Sequence, residues 1–386
     1  MSNSDVWKLI PRAKRIVVKI GSSTLTRDGQ LRPNKFTALA RDVSRLVESG
    51  RQVVVVSSGA IAVGAHQLGW GHAGESIREK QAAAAVGQIG LIELYQRRFA
   101  KRGIHVGQVL LTRAGLEDRE RFLNARRTML ELLRIGVVPI VNENDTIATE
   151  EIRFGDNDNL AATIVSAIDA DLLVILTDVD GLYERAPEAD KPTPPLIRTV
   201  QKITPAIRKA ASGAGTRFGS GGMITKLEAA TSAARSGAAT ILCNGQVGGV
   251  LERLIAGEQY GTLFAPGEKL KSRKHWLAFT AKTRGRIVID AGAARALTNR
   301  GRSLLPAGIL RIEGRFEVGD TVRCIDDEGR EIARGLAGYS SVDAQRLTGR
   351  PTKEILQVLG YTNGDEIIHR DDLVLVGESA AGSSGD

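Results

Sequence analysis

A repeated order of short apolar strand, glycine- or serine-rich turn and helix limits the possible folds more than any other pattern in this chain. Arg15–Ile20 reads RIVVKI and ends at the turn Gly21-Ser22-Ser23. A helical pattern follows over residues 34–49, and a second β-branched run over residues 52–56 ends at a Ser-Ser-Gly-Ala turn. This order predicts a parallel sheet with helices on both faces.

The same order continues through the first two thirds of the chain, and the pattern then changes. Further buried strands are predicted at residues 106–111, 137–141, 170–177 and 239–243, and helices at residues 80–101, 124–135 and 198–212. Beyond Arg284, short β segments separated by turn residues predict a small β-rich, barrel-like unit. A chain of 386 residues exceeds what one core usually organises. We therefore predict a large α/β domain at 1–263, a linker at 264–283, a β-rich domain at 284–377 and a disordered tail at 378–386.

Composition argues against several classes of protein. The chain has 42% hydrophobic and 25% charged residues, and no uncharged apolar run approaches the roughly 18 residues of a membrane span. The N-terminus lacks the succession of segments found in a secretory signal. Cys243 and Cys324, far apart in sequence, argue against a disulfide framework and exclude a multi-cysteine metal site, and the five histidines show no ligand spacing. We expect a reduced, cytoplasmic protein.

Two polar clusters flank one short connection after the predicted strand at residues 137–141. Asn142, Asn144 and Asp145 follow that strand at once, where open α/β sheets place their ligands. The second cluster, residues 155–159, reads GDNDN and precedes an apolar helical pattern, so it can present side chains and free backbone N–H groups from a helix start. The alternative is that these residues only form turns and caps. Two such clusters so close together favour a site.

Two lysines stand beside turns that suit a phosphate group. Lys19 lies at the end of a buried strand, where an ammonium is costly unless it meets an anion or reaches solvent. Residues 213–226, GAGTRFGSGGMITK, combine flexible glycines with Thr225 and Lys226 at a helix start, where the helix dipole also favours negative charge. This segment is not a P-loop, which needs Gly-Lys-Ser/Thr in that order.

Together these features favour phosphoryl transfer. A phosphoryl group in flight spreads negative charge over its oxygens, so catalysis depends on positioning and cationic stabilisation. Lys19 and Lys226 are candidates to hold the donor phosphates, and Asp158 is a candidate to pair with both. A carboxylate acceptor is already deprotonated near neutral pH and needs no general base, which fits a chain without an obvious catalytic histidine.

The two polar clusters also suggest how an acceptor would bind. Asp145, with Asn142 and Asn157, carries the oxygen atoms that an ammonium group needs. Ser58, at the turn after the second strand, offers a hydroxyl donor to a carboxylate. These residue types would suit a substrate that carries both an ammonium group and a carboxylate.

Five motifs carry a resemblance to a known family. In order and spacing they are VVKIGSSTLT, VVVVSSGAIAVG, PIVNENDTIATEEIRFGDNDNLAA, LLVILTDVDGLY and GSGGMITKLEAA. Over residues 12–262 the chain resembles the glutamate kinases of the amino acid kinase family, to which the NEND and GDNDNL motifs are specific. The segment from TRGRIVIDAGAARAL through LPAGI to GLAGYSS resembles a PUA domain, a module that binds RNA in other proteins.

The resemblance implies a fold, a reaction and a set of site residues. The fold is a three-layer αβα sandwich with a mainly parallel sheet, and the reaction is transfer of the γ-phosphoryl group of Mg²⁺-bound ATP to L-glutamate. The product is glutamyl 5-phosphate, in the first step of proline synthesis, with L-proline as inhibitor and a homodimer or homotetramer as the assembly. The implied catalytic residues are Lys19, Lys226 and Asp158. The implied ATP-binding residues are Lys19, Thr177, Asp178, Ser220, Gly221, Gly222, Met223, Ile224, Thr225 and Lys226. The implied acceptor-binding residues are Ser58, Asn142, Asp145, Asp156 and Asn157.

One position departs from the pattern of the family. At Ile224 the resemblance leads us to expect a small polar residue, and we expect the difference to affect loop packing more than activity. A direct bond from Asp156 or Asp158 to Mg²⁺ stays open at this point, because phosphates and waters alone also hold this ion.

Two other functions remain as alternatives. One keeps the fold and changes the acceptor to acetylglutamate, aspartate, carbamate or UMP, against which the NEND and GDNDNL motifs argue. The other is an RNA-binding protein, because residues 268–311 contain eleven Lys/Arg and two Asp/Glu, a surplus equal to the net charge of +9 of the whole chain. That segment carries few aromatic residues beyond Trp276 and Phe279, and a PUA-like fold alone does not establish RNA binding.

Overall fold

The computed structural model describes residues 3–27, 30–148, 156–185, 187, 192–212, 222–267 and 281–376. Most of the described residues up to 267 belong to one compact unit, and residues 281–376 belong to a second. Most of the predicted linker, the predicted tail at 378–386 and residues 213–221 of the glycine-rich turn lie outside the described residues.

The first unit is built on an eight-stranded sheet. Its order is β5-β6-β4-β1-β7-β9-β10-β8, and β2 and β3 form a separate two-stranded ribbon. In chain order the strands are β1 (Arg15–Ile20), β2 (Thr26–Arg27), β3 (Gln30–Leu31), β4 (Gln52–Ser57), β5 (Val106–Leu111), β6 (Val138–Glu143), β7 (Leu172–Thr177), β8 (Thr199–Val200), β9 (Ala239–Asn244) and β10 (Thr262–Phe264). The six strands from β5 to β9 in this order are parallel, so the mainly parallel sheet is confirmed.

Helices cover both faces of this sheet. In chain order they are α1 (Asn3–Trp7), α2 (Ser22–Leu25), α3 (Pro33–Glu48), α4 (Ala60–Gln67), α5 (Ile77–Ala100), α6 (Arg113–Glu117), α7 (Arg119–Arg134), α8 (Asp156–Ala167), α9 (Pro205–Ser212), α10 (Met223–Arg235) and α11 (Val250–Ile255). Side chains of α3, α5 and α11 share one core with the sheet. Helices α8 and α10 pack against each other and against β7. The unit is therefore a three-layer αβα sandwich.

The alternation of side chains along each strand distributes the buried residues between the two outer layers. In β1, Ile16, Val18 and Ile20 belong to the core shared with α3 and α5. Val17 and Lys19 are equally buried but point to the opposite face. Lys19 therefore leaves the sheet on the side covered by α8.

Several helix limits differ from the prediction for local reasons. α5 begins at Ile77 rather than at residue 80, because Ser76 and Glu79 form a capping box in which each side chain accepts from the other's backbone N–H. α7 begins at Arg119 rather than at residue 124. The segment predicted as one helix over 198–212 is the short strand β8 followed by α9, which starts at Pro205. Proline favours the first turn of a helix because its φ angle is already helical and its missing N–H has no partner there.

The far edge of the sheet contains a strand that the sequence analysis missed. β10 pairs antiparallel with β9 and parallel with β8. Gly261 precedes it with φ +86°, and a Cβ atom there would lie 2.3 Å from the carbonyl oxygen of Leu242. The reversal of direction therefore requires glycine at this position.

The second unit has its own sheet and its own core. Its strands are β11 (Thr283–Ile289), β12 (Ile309–Gly314), β13 (Thr321–Ile325), β14 (Glu331–Leu336) and β15 (Leu373–Leu375), in the order β12-β11-β13-β14-β15. It also contains α12 (Ala291–Arg300), α13 (Ser341–Leu347) and α14 (Ile355–Leu359), which the sequence analysis did not predict. α12 begins where the side chain of Asp290 caps the helix by accepting from the N–H of Ala293 at 2.6 Å. The small β-rich unit is confirmed, with three additional helices.

The run of small residues in α5 allows it to pack very closely against α4. A Cβ atom on Gly64 of α4 would lie 1.7 Å from the carbonyl oxygen of Ala83, and one on Gly87 of α5 would lie 1.9 Å from that of Ala60. Both distances are far below a possible contact, so glycine is required on both sides of this crossing.

α5 has 24 residues, yet no helix in the described part of the chain is long and apolar enough to cross a membrane.

We predict that Gly64→Ala destabilises the first unit by about 3 kcal/mol, because the added methyl group meets backbone atoms that cannot move aside without separating α4 from α5. Gly71→Ala is the matched control: Gly71 has no atom within 4 Å of a Cβ position, and we expect a change of at most about 0.5 kcal/mol. Urea denaturation followed by circular dichroism measures both. Equal midpoints for the two variants would show that the helices separate without cost.

Candidate active site

The predicted site residues meet at the carboxyl ends of the central strands. β1 ends at Ile20, β4 at Ser57, β6 at Glu143 and β7 at Thr177. These four strands are parallel, so their ends lie at one edge of the sheet, the place where open α/β sheets bind ligands. α8 begins at Asp156 and α10 at Met223. Both bring their first turns to the same place.

At this edge a single carboxylate lies between two lysine ammonium groups. Nζ of Lys19 lies 2.7 Å from Oδ1 of Asp158, and Nζ of Lys226 lies 3.2 Å from Oδ2. The hydroxyl of Thr225 donates to the same Oδ2 at 2.9 Å. Asp158 stands in the first turn of α8, and Thr225 and Lys226 stand in the first turn of α10. The packing of α8 on α10 therefore brings a strand and two helices to one carboxylate.

Burial and charge act in opposite directions on this group. Asp158 is fully buried and Lys19 is 5% exposed. Burial alone would raise the pKa of Asp158, but the ammonium groups of Lys19 and Lys226 outweigh it and hold that pKa below its ordinary value. For Lys19, burial is the larger effect and lowers its pKa, with Asp158 opposing it. The carboxylate is therefore charged throughout the neutral range.

A second cluster, made of amides and a serine, lies beside the carboxylate. Nδ2 of Asn157 donates to Oγ of Ser58 at 2.7 Å, to Oδ1 of Asn142 at 3.1 Å and to the carbonyl oxygen of Ser57 at 3.2 Å. Nδ2 of Asn142 in turn donates to Oε1 of Gln88 in α5 at 2.8 Å. Three residues predicted to bind the acceptor, Ser58, Asn142 and Asn157, are thus brought together.

One atom of this cluster has no partner among the described residues. Oδ1 of Asn157 is buried and accepts no hydrogen bond from that part of the chain. A buried acceptor without a donor costs about 1–3 kcal/mol. A bound group with N–H donors would supply the hydrogen bond that this oxygen lacks.

The two remaining predicted acceptor residues differ in how far they can be placed. Asp145 is buried, 9% exposed, and begins a short 3₁₀ turn, Asp145–Ile147, directly after β6. That turn packs against α5. Asp156 is the first residue of α8, but its side chain lies outside the described part of the structure.

The predicted ATP-binding residues are described only in part. The hydroxyl of Thr177, at the end of β7, donates to Oδ1 of Asp178 at 3.0 Å. Gly222 precedes α10, and Met223, Ile224 and Thr225 form its first turn, whose backbone N–H groups suit an anion. Ile224 is 47% exposed, so it does not contribute to the core. Ser220 and Gly221 lie outside the described residues.

Sequence reasoning missed two polar residues that support this site, Gln88 and Tyr95 of α5. The hydroxyl of Tyr95, fully buried, donates to Oγ of Ser57 at 2.9 Å. The stretch AAAAVGQIG around Gln88 was interpreted as a packing surface only. The spacing of seven residues places the two on one side of a helix, but this pattern alone does not show that they meet polar strand ends.

Comparison with known proteins identifies the family. The profile of the amino acid kinase family matches residues 14–244, more than half of the chain. The chain belongs to the amino acid kinase family. A PUA domain profile matches residues 285–359, within the second unit. As a kinase of the amino acid kinase family, the chain uses ATP.

Individual relatives are similar over nearly their whole length. The chain is 50% identical over 370 residues to the glutamate 5-kinase of Cupriavidus taiwanensis, which spans 95% of this chain and 99% of that protein. The glutamate 5-kinase of Methylobacillus flagellatus gives the same values, and that of Burkholderia mallei is 49% identical over the same shares. Among solved structures, the isopentenyl phosphate kinase of T. acidophilum is 18% identical, with a TM-score of 0.46 over 65% of this chain and 99% of that chain.

We predict that Asp158→Asn lowers the free energy of unfolding by roughly 3–5 kcal/mol at pH 7, since it leaves the buried Lys19 ammonium without its carboxylate. Without Asp158, burial lowers the pKa of Lys19 further, so the variant gives up this proton at a lower pH than the wild type does. The difference in stability therefore shrinks as the pH rises from 7 towards about 10.

The control for this prediction is Glu131→Gln, which removes an exposed ion pair with Arg134 in α7 and should change stability far less, because solvent screens exposed charges. Thermal and urea unfolding of the three proteins at several pH values measure the differences. A constant gap between wild type and Asp158→Asn over this range would contradict the role given to Lys19.

Proposed function

We propose that this kinase transfers the γ-phosphoryl group of ATP to the side-chain carboxylate of L-glutamate, which gives L-glutamyl 5-phosphate and begins proline synthesis. The observation that supports this most is the pair of lysines held on one buried carboxylate: Lys19 and Lys226 lie 2.7 and 3.2 Å from Asp158. The relatives that match the whole chain are named glutamate 5-kinases.

The proposed catalysis is electrostatic. As the phosphoryl group leaves ADP, negative charge spreads over its oxygens, and two fixed ammonium groups stabilise that charge without having to reorganise. Asp158 touches Lys19 and Lys226 but would not touch the substrate, so it acts as their positioning residue. The glutamate carboxylate attacks in its ionised form, and no side chain has to remove a proton.

The amide cluster supports an acceptor with a free ammonium group. The buried Oδ1 of Asn157 has no donor in the described part of the chain, and the carboxyl group of Asp145 follows the same strand end as Asn142. An ammonium group supplies three donors and a positive charge. An N-acylated amino acid offers one donor without charge, and UMP or carbamate offers neither a primary ammonium nor an amino-acid carboxylate. The cluster therefore favours glutamate or aspartate over the other acceptors of the family.

Mg²⁺ would reach this site together with ATP. Both oxygens of Asp158 already face ammonium groups or the Thr225 hydroxyl, which makes this carboxylate a poor ligand for a second cation. Within the described ranges no cluster of three or more His, Cys, Asp or Glu residues could hold a metal ion. We propose that the phosphates and water hold Mg²⁺, where it neutralises charge on the transferred group.

Three further properties belong to the same proposal. They are inhibition by L-proline, assembly into a homodimer or homotetramer, and a division of the chain into a kinase domain at 1–263, a linker at 264–283 and a PUA domain at 284–377. In support of the division, the last strand of the first sheet ends at Phe264 and the first strand of the second sheet begins at Thr283.

The proposal is tested by ADP release from the purified chain with Mg²⁺-ATP across L-glutamate, L-aspartate, N-acetylglutamate and UMP, with hydroxylamine present to trap an acyl phosphate. We expect turnover and hydroxamate formation with L-glutamate, and suppression by L-proline. Preferred turnover of another acceptor would replace glutamate in the proposal. Absence of turnover with all four would leave the family membership without the proposed activity.

Two substitutions separate catalysis from acceptor binding, and each is the control for the other. Lys226→Ala should lower kcat by about 10²–10³-fold, the scale of losing one fixed charge-stabilising group. Asp145→Ala should instead raise KM for glutamate while KM for ATP stays within about twofold. Steady-state kinetics with each substrate varied measure both. A loss of ATP affinity in Asp145→Ala would show that the two halves of the site have been assigned the wrong way round.

A further inference from the structure

Helix α5 contacts the proposed acceptor pocket through three polar side chains spaced seven residues apart. Nε2 of Gln81 donates to the carbonyl oxygen of Ala148 at 2.9 Å, after the 3₁₀ turn that contains Asp145. Oε1 of Gln88 accepts from Asn142 at 2.8 Å, and the hydroxyl of Tyr95 donates to Ser57 at 2.9 Å. Seven residues are nearly two full turns, so the three side chains lie along one stripe of the helix.

The stripe meets the polar strand ends because side chains alternate between the two faces of each strand. In β6, Val138 and Ile140 belong to the core shared with α5, so Asn142, two residues further, faces α5 as well. In β4, Val53 and Val55 do the same, and Ser57 follows them. The polar residues at these strand ends thus meet α5 directly.

Gln88 orients the amide group of Asn142, and Asn142 together with the carbonyl oxygen of Ser57 orients that of Asn157. The carbonyl oxygen of Gln88 can only accept, so it fixes the NH₂ end of Asn142 towards α5 and leaves Oδ1 of Asn142 facing Asn157. Asn157 presents its own NH₂ to Oδ1 of Asn142, to Oγ of Ser58 and to the carbonyl oxygen of Ser57, which turns its Oδ1 away from all three. That Oδ1 is the buried acceptor for which the described residues provide no donor.

We propose that Gln88 is a positioning residue for the acceptor: it acts through Asn142 and Asn157 to aim an amide oxygen at the ammonium group of the substrate. This inference rests on the proposed function for the identity of the substrate, but the hydrogen-bond order is a property of the protein alone. If Asn142 turned by 180° about its last side-chain bond, two NH₂ groups would face each other, and Asn157 would lose one of the three acceptors that hold its orientation.

Gln88→Met is the test variant, because methionine matches the length and shape of glutamine and removes the acceptor. We expect KM for glutamate to rise about 3- to 10-fold, the scale of one hydrogen bond, with KM for ATP within about twofold. The matched control is Gln96→Met, the same substitution at an exposed position of α5, which should leave both KM values unchanged. Gln88→Glu retains the acceptor oxygen and should recover most of the glutamate affinity.

A double-mutant cycle tests whether Gln88 acts through Asn142. If it does, the KM for glutamate of Gln88→Met/Asn142→Ala should equal that of Asn142→Ala, because the second substitution removes the group that Gln88 orients. Additive effects of the two substitutions would overturn the proposal, as would an equal rise in KM for ATP and glutamate, which indicates a general loss of structure.

A measurement without turnover separates this proposal from the proposed function. The side-chain NH₂ signals of Asn142 and Asn157 in a ¹H–¹⁵N correlation spectrum, assigned from Asn142→Ala and Asn157→Ala, should both shift in Gln88→Met and stay in place in Gln96→Met. Unchanged signals in Gln88→Met would overturn the role of Gln88 even if the chain phosphorylates glutamate. Shifted signals in a chain that uses another acceptor would support Gln88 and refute glutamate, and the cycle would then be measured with that acceptor.

Discussion

The ion pairs that Asp158 makes with Lys19 and Lys226 connect the central sheet to the two helices over it. Taking these charges out of water is expensive, and the attraction between them only offsets that expense when geometry and further hydrogen bonds are good. Thr225 supplies such a bond at 2.9 Å. An apolar packing of the same volume would stabilise β1, α8 and α10 as well or better, so stability alone does not explain these ion pairs. The proposed function explains them, because two immobilised ammonium groups stabilise the negative charge on a phosphoryl group.

Successive residues of a strand point to opposite faces of the sheet, and this separates the charged side chains of the site from the amide side chains. Lys19 leaves β1 towards α8 and α10, where the cations gather, while Ser57 and Asn142 leave β4 and β6 towards α5, where the amides gather. The two groups meet only where the parallel strands end and α8 begins, and adjacent residues of α8 serve one group each: Asn157 the amides and Asp158 the cations. Under the proposed function, the phosphoryl donor and its acceptor would therefore approach from different layers of one sandwich.

The parts of this arrangement that depend on local sequence pattern could be predicted from the sequence. A β-branched run before Gly21 places Lys19 at a strand end, and GDNDN before an apolar helix places Asn157 and Asp158 in a first turn. Gln88 and Tyr95 could not be assigned in this way, because a polar residue within a helix becomes significant only once its strand partners are known. β8 and β10, with two and three residues, depend on tertiary pairing alone. α12 was missed because its capping residue, Asp290, follows directly on a β-branched strand.

The closeness of α4 and α5 connects the core to the chemistry. α4 begins at Ala60, directly after the Ser58-Gly59 turn, and Gly59 has φ +112°, which only glycine adopts readily. The backbone of α4 then meets α5 at Gly87, the residue before Gln88. The same crossing therefore sets how far Gln88 lies from Asn142 and where Ser58 stands relative to Asn157. A hydrogen bond weakens within a few tenths of an ångström, and a backbone contact without side chains is among the least compressible in a protein. Glycine at this crossing therefore keeps the residues of the amide cluster within the distances that their hydrogen bonds require.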